Sequence, residues 1–201
     1  MNIFGRLVMP LALTMVSAPA LAQSIDPARA PVQSLSDSLI ALMKAGKKLG
    51  FAGRSAQIAP VVDRVFDLPL MVRLSVGPAW TKADAGDKAA LITAFRKLTI
   101  SEYANNFDGW SGQAIAVDQK VEARGTDRFV KTILSDPKAD SVSIGYRLRQ
   151  NGTDWRVIDV FFKNSISQLA TRRSDFTAIL SKGGVKSLVG HINQLAEKAG
   201  R

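Results

Sequence analysis

Residues 155–176, WRVIDVFFKNSISQLATRRSDF, read as a strand running into a helix. As far as Phe162 the residues alternate. Trp155, Val157, Asp159 and Phe161 share one side, and Arg156, Ile158, Val160 and Phe162 the other. Both sides are largely apolar, unlike a sheet with one wet face. Either helices cover both faces, or one face lines an apolar cavity. From Ser165 the period becomes helical, and Ile166, Leu169, Ala170, Arg173, Phe176, Thr177 and Leu180 fall on one stripe. Two charges therefore sit among residues that favour dry surroundings: Asp159 in the strand and Arg173 on the helix. Arg172 lies off the stripe's centre and reads as solvated. An unpaired charge in such a place is costly. One expectation is an Asp159–Arg173 ion pair that pins helix to sheet. Its rival has Arg173 at a cavity mouth, meeting an anionic head group.

Upstream, QAIAVDQKVEA (113–123), DRFVKTILS (127–135) and DSVSIGYRLRQ (140–150) also alternate, and TDWRVIDVFF (153–162) completes a set of four strands. Gly125, Asp136-Pro137 and Asn151-Gly152 lie between them, and Asn-Gly is a strong hairpin signal. Connections this short force antiparallel neighbours, so the spacing predicts a four-stranded meander. The preceding half is helical in period. Leu35, Leu39, Leu42, Gly46 and Leu49 form one stripe, and Ile58, Val61, Val62, Val65 and Phe66 a second. Asp67 can cap a short helix carrying Leu70, Met71 and Leu74, which stops at Gly77-Pro78. A longer helix spans roughly 87–107, with Leu91, Ile92, Phe95, Leu98, Thr99 and Tyr103 on its buried side. After the sheet, helix runs from about 165 to 181, breaks at Gly183-Gly184, and resumes with Val185, Leu188, Val189, Ile192 and Leu195. Helices, sheet, then helices is an α+β layout.

The chain opens MNIFGRLVMPLALTMVSAPALAQ. Arg6, the apolar stretch Leu7–Val16 and the small residues Ala20-Leu21-Ala22 match a secretory signal cleaved after Ala22. That apolar run falls short of the roughly 20 residues a membrane-spanning helix needs. The remaining chain, residues 23–201, is enough for one core and one domain. With no cysteine there is neither a disulfide framework nor a lipoprotein anchor, so stability rests on burial. The net charge of +10 suits nucleic acid in many chains, but export points it toward anionic membrane surfaces.

Catalytic signatures are missing. There is one histidine, His191, and no nucleophile elbow, zinc-protease helix, Walker loop or dinucleotide fingerprint. Asp84 and Asp87 beside Gly86 read as helix-start residues, and Asp136 and Asp140 around Pro137 as turn chemistry. Asp159 is the one acid fit to serve as a base in a cone-shaped α+β enzyme of the isomerase or hydratase kind, with Tyr146 or Tyr103 beside it.

Four pieces, in order, resemble the toluene-tolerance family: VVDRVFDLPLMVRLSVGPAW, AFRKLTISEYANNFDGWSG, YRLRQNGTDWRVIDVFFKNSISQLATRRSDF and GGVKSL. That family includes MlaC-like periplasmic lipid carriers and the hopanoid-associated HpnM proteins. The segment SISQLATRRSDF is one residue longer than is common in the MlaC-like branch, which makes the chain similar to the HpnM branch. The resemblance implies an α+β carrier, not an enzyme, whose helices and sheet enclose a lipid-tail cavity. It implies a cargo of phospholipid or hopanoid-type lipid, and no cofactor beyond that cargo. It implies a monomer in the periplasm that serves the inner- and outer-membrane complexes of an ABC-type lipid transport pathway, touches membranes transiently and binds no nucleic acid. Lipid-contacting positions implied by the match are Leu70, Met71, Leu74, Trp80, Phe95, Leu98 and Tyr103 from the helices. Tyr146, Val157, Phe161, Ile166, Leu169 and Phe176 come from the sheet and the helix after it. A non-carrying accessory of hopanoid biosynthesis would show the same basic surface.

Overall fold

Apolar residues at helical spacing build the first half of the fold. The computed structural model describes residues 25–200, so the expected signal segment lies outside the described residues. Val32, Leu35, Leu39 and Leu42 are the buried side of α1 (Arg29–Ala45), and Ile58, Val61, Val62 and Val65 that of α2 (Gly50–Val65). Gly46, at φ 52 and ψ −139, turns the chain between them where a side chain would be strained. Arg54, buried in α2, donates to the Ala104 carbonyl at 2.7 Å and so ties α2 to the last turn of the long helix. A cation at a helix C-terminus is well placed against the helix dipole. Asp67 accepts from the Leu70 amide at 3.0 Å and caps α3 (Leu68–Val76), as the sequence predicts, and Gly77 ends it. A single turn, α4 (Ala79–Lys82), leads into α5 (Ala85–Asn106), which is capped by Asp84 through the Asp87 amide at 2.7 Å.

Among the described residues the sheet has six strands, not four, in the order β1-β3-β4-β5-β6 with β2 also on β3. Two local breaks account for the difference. The stretch predicted as one strand over 113–123 divides into β1 (Ala114–Val117) and β2 (Glu122–Arg124), each antiparallel to β3 (Asp127–Asp136). At the break the Asp118 carboxylate takes the Lys120 amide at 2.9 Å and turns the chain out of the ladder. The long β4 (Ala139–Asn151) and β5 (Asp154–Phe162) come next, through tight turns. Lys163 and Asn164 then adopt left-handed φ values of 51° and 57° and fold the chain back, so that Phe162 pairs with Ile166 in the two-residue β6 (Ile166–Ser167). This hairpin delays the helix expected from Ser165; α6 runs Gln168–Ala199. The predicted break at Gly183-Gly184 is a kink, with Gly184 at φ 66 and ψ −164, and helix continues beyond it.

One irregularity in β5 decides which residues face the helices. Arg147 pairs with Asp159 and Leu148 with Val157, leaving Ile158 as an extra residue in a bulge. Strict alternation would group Val157 with Asp159 and Phe161. The bulge instead puts Val160 and Phe162 on Val157's face, with their partners Tyr146 and Ile144. Val130, Tyr146, Leu148 and Val157 join the helical core on that face. The opposite face has its own small cluster. Phe129, fully buried, meets the edge of Phe161 at 5.3 Å and lies 3.5 Å beneath the Arg124 guanidinium.

Beside it the nearly inaccessible Asp127 carboxylate accepts from Arg149 Nε at 2.7 Å, Arg149 Nη2 at 2.9 Å and Arg147 Nε at 2.5 Å. Burial pushes the Asp127 pKa up, but the two arginines more than offset it and hold the carboxyl below its ordinary value. A lowered carboxylate pKa contributes stability that is present above the unfolded-state value and lost as pH falls through the folded one. Asp127→Asn is therefore expected to flatten the acid side of a stability-against-pH curve, read by urea melts from about pH 2 to 7. An unchanged acid limb would remove Asp127 from the account of acid stability.

Candidate functional site

A cavity of ≈ 750 Å³ lies between the helix-facing side of the sheet and the helices. Its floor is Leu134 from β3, Val142, Ile144 and Tyr146 from β4, and Val160 and Phe162 from β5, the last two brought inward by the bulge. Helical spacing supplies one wall, since Phe95, Thr99, Glu102, Tyr103 and Asn106 recur along one side of α5. Met43, Phe66, Met71, Leu169 and Arg172 complete it. Three aromatic rings run along the wall, with Phe66 to Tyr103 at 5.7 Å and Tyr103 to Phe107 at 5.8 Å between centroids. The rim is polar: Asp108, Gly109, Gln113, Asp136 and Gln168. A second, smaller hollow of ≈ 440 Å³ lies at the surface by Pro31, Arg64 and Trp155.

Inside the rim, charge enters the wall at one place. Arg172 Nη2 donates to Glu102 Oε2 at 2.5 Å, joining α6 to α5, and the Arg172 guanidinium stands 5.2 Å over the Phe95 ring. Glu102 keeps 38% of its side chain accessible, but that surface faces the cavity. Enclosure by protein raises its pKa, and Arg172 opposes the rise by charge and hydrogen bond. Burial likewise pushes the phenols of Tyr103 and Tyr146 upward, so both are neutral donors across the physiological range.

The positions singled out in the sequence divide into groups. Met71, Phe95, Tyr103, Tyr146 and Leu169 line the cavity. Leu98, Val157 and Phe176 are core residues at 1%, 0% and 1% exposure, behind the wall rather than in it. Leu70 and Leu74 are half-buried on α3, and Trp80 packs on the core margin with Lys88 over its ring at 5.7 Å. Phe161 is on the far face against Phe129, and Ile166 is half exposed opposite Phe162.

Asp159 and Arg173 do not pair. The Asp159 carboxylate accepts from Ser167 Oγ at 2.6 Å and from the Leu169 amide at 3.0 Å, while Ser167 Oγ takes the Ala170 amide at 2.9 Å. Together they satisfy two orphan amides at the start of α6. Burial raises the Asp159 pKa, and the hydrogen bonds from Ser167 and Leu169 oppose it. Arg173 is exposed and lies along Gly77 at the end of α3. The arginine that turns inward is its neighbour. The β6 hairpin sets the phase of α6 so that Leu169, Arg172, Phe176 and Ile179 lie along the packed side, and this spacing of three, four and three is itself helical.

These features define a mixed α+β protein built around a largely apolar cavity with one internal ion pair. The chain belongs to the MlaC family: the family model described as "MlaC protein" matches residues 33–194. Among solved structures it is similar to a phospholipid-binding protein from Ralstonia solanacearum, determined in complex with a phospholipid. The match has a TM-score of 0.73 at 22% identity and covers 88% of this chain and 100% of that one, a likeness of fold. No curated protein sequence matches the chain.

Proposed function

We propose that the chain is a periplasmic lipid-binding protein that carries a phospholipid or hopanoid-type lipid between inner and outer membranes as the soluble part of an ABC-type transport pathway. On this reading residues 1–22 are removed on export and the rest acts as one domain. The observation that carries it is the apolar cavity of ≈ 750 Å³ between sheet and helices, within the range of about 300–1,000 Å³ typical of small-molecule sites. Family membership and the phospholipid complex of the Ralstonia protein support the same cargo class. Among the described residues no helix is long and apolar enough to cross a membrane.

Energetics suit a carrier. Each buried methylene is worth about 0.8 kcal/mol, so a dozen shielded carbons give roughly 10 kcal/mol. The same carbons are already buried in a bilayer, so exchange between bilayer and cavity is close to balanced. Such a task needs a hollow and a mouth, with no reacting side chain. Purified protein extracted with organic solvent is expected to yield about one lipid per chain, identified by mass spectrometry. Protein that is empty from several membrane-containing preparations would end the reading.

A further inference from the structure

Among the described residues the exposed large apolar side chains are Ile25, Leu49, Trp110, Ile133, Phe162 and Ile166, and most of them gather at one end of the molecule. Phe162 lines the cavity and is still 41% exposed, so its ring marks the opening. Ile166, its register partner in the β6 hairpin, is 50% exposed. On the loop after α5, Trp110 is 49% exposed and donates Nε1–H at 2.9 Å to the carbonyl of Gln113, a rim residue. Leu49 ends the 3₁₀ turn Gly46–Leu49, which packs on the same loop: a Cβ at Gly46 would lie 3.4 Å from the Asp108 carbonyl oxygen. Lysines stand among these side chains. Lys44, Lys47 and Lys48 are exposed beside Leu49 and Trp110, with Lys44 Nζ 5.3 Å from the indole. Lys163 lies 5.8 Å from the Phe162 ring, and Lys138 is exposed in the turn between β3 and β4. The carboxylates on these elements are Asp108, Asp136 and Asp140, so five lysines meet three acids. Glu102 farther in is matched by Arg172. The last turn of α6, near Phe51, adds Lys198 and a Glu197 already paired with Lys97. This end is therefore net positive, and among the described residues none of the five lysines is in an ion pair.

Resting on the carrier reading above, we propose that this end of the molecule docks on an anionic bilayer, with Trp110 and Phe162 seated among the head groups, Leu49 and Ile166 beside them, and the lysines turned to lipid phosphates. An indole has an apolar body and a polar N–H, which suits the interface between tails and water. Lysine stems lie along apolar surface while their ammonium groups reach outward, and each one near an anionic surface favours binding. A protein partner calls for one contiguous packed patch. Here the apolar side chains stand on separate segments around an opening, an arrangement that a fluid interface accommodates. It also sets the cavity mouth against the bilayer, so a lipid tail crosses without passing through water.

The test floats the protein, purified in its exported form, with vesicles of phosphatidylcholine alone and with vesicles in which phosphatidylglycerol replaces about a third of it. Binding to the anionic vesicles is expected to be about twentyfold stronger, a factor of about five for each of two net positive charges, and to fall as salt is added. Lys47→Gln combined with Lys48→Gln, both at exposed positions that do not challenge folding, is expected to bring the two vesicle types close to equal. Trp110→Ser is expected to weaken binding to both by about tenfold. Lys120→Gln, in the turn at the other end of β1, is expected to change nothing. Equal binding of the parent to both vesicle types, no binding, or a loss in Lys120→Gln as large as in the Lys47 and Lys48 pair would overturn the docking surface. Binding confined to vesicles that carry an envelope protein would assign this end to a protein partner and overturn it too. Lipid in a solvent extract of the same protein leaves the carrier standing in each of those cases. Vesicle binding by protein that never yields lipid would overturn the carrier reading and, with it, the purpose given to the docking.

Discussion

Ile144→Glu is expected to emerge from purification with about a hundredfold less bound lipid than the parent chain, with its fold retained. Ile144 stands on β4 between Thr132 and Phe162 in the register and faces the cavity floor. It is only partly buried, so a carboxylate there keeps its hydration while the cavity holds water. A hydrocarbon chain entering the cavity must strip that hydration. The cost is several kcal/mol, against about 0.8 kcal/mol regained for each methylene, and every ~1.4 kcal/mol is a factor of ten in loading. Ile144→Leu serves as the control, because it conserves volume and leaves the cavity floor apolar. Lipid-to-protein ratio after solvent extraction measures the first effect, and the thermal midpoint confirms the fold. A folded Ile144→Glu protein that still carries lipid would place the tail somewhere else.

The largest effect on stability is expected from one methyl group. A Cβ at Gly145 would lie 2.2 Å from Phe129 Cζ and 2.8 Å from Cε1, far inside contact distance. The ring has little room to retreat, since Arg124 covers it at 3.5 Å and Phe161 abuts its edge. Gly145→Ala is thus expected to cost about 3 kcal/mol, the upper end of the overpacking range. Phe129→Leu shrinks the obstructing group and costs about 1–2 kcal/mol alone by loss of buried surface. The two changes relieve each other, so the double variant is expected to be more stable than the sum of the singles predicts. Urea midpoints for the four proteins test this. Strict additivity would show that the ring does not depend on the missing side chain.

The α+β class, the principal helices and the break near Gly184 were legible because each rests on local periodicity or a capping residue. Leu35, Leu39 and Leu42 mark α1 without help from distant contacts, and Asp67 announces α3 through its own side chain. The misreadings sit where one residue changes the count. Ile158 is an ordinary β-former, and nothing about it in sequence marks it as the surplus member of a bulge. Its effect is to exchange the faces of the later residues of β5, so strict alternation puts Phe161 indoors and Val160 and Phe162 outdoors, the reverse of their places in the fold. Lys163 and Asn164 act similarly on α6. Their left-handed backbone makes a hairpin where periodicity starts a helix, and the inward arginine becomes Arg172 rather than Arg173. The sequence rightly marks Asp159 as needing a partner. Helix amides supply it, a local solution that an eye for opposite charges overlooks.

The wall of the cavity on the sheet side is one strand thick. Helical core contacts gather on the face of Val130, Tyr146, Leu148 and Val157, and beyond Phe129, Phe161 and the arginines around Asp127 lies water. Such a thin partition is expected to act as a diaphragm, yielding outward under a bulkier occupant by displacing solvent, with no second packed layer among the described residues to dislodge. On the carrier reading, the girth of the guest would be governed by the bending stiffness of β3, β4 and β5, with the Asp127 ion pairs to Arg147 and Arg149 bracing β3 against β4 on the outer surface.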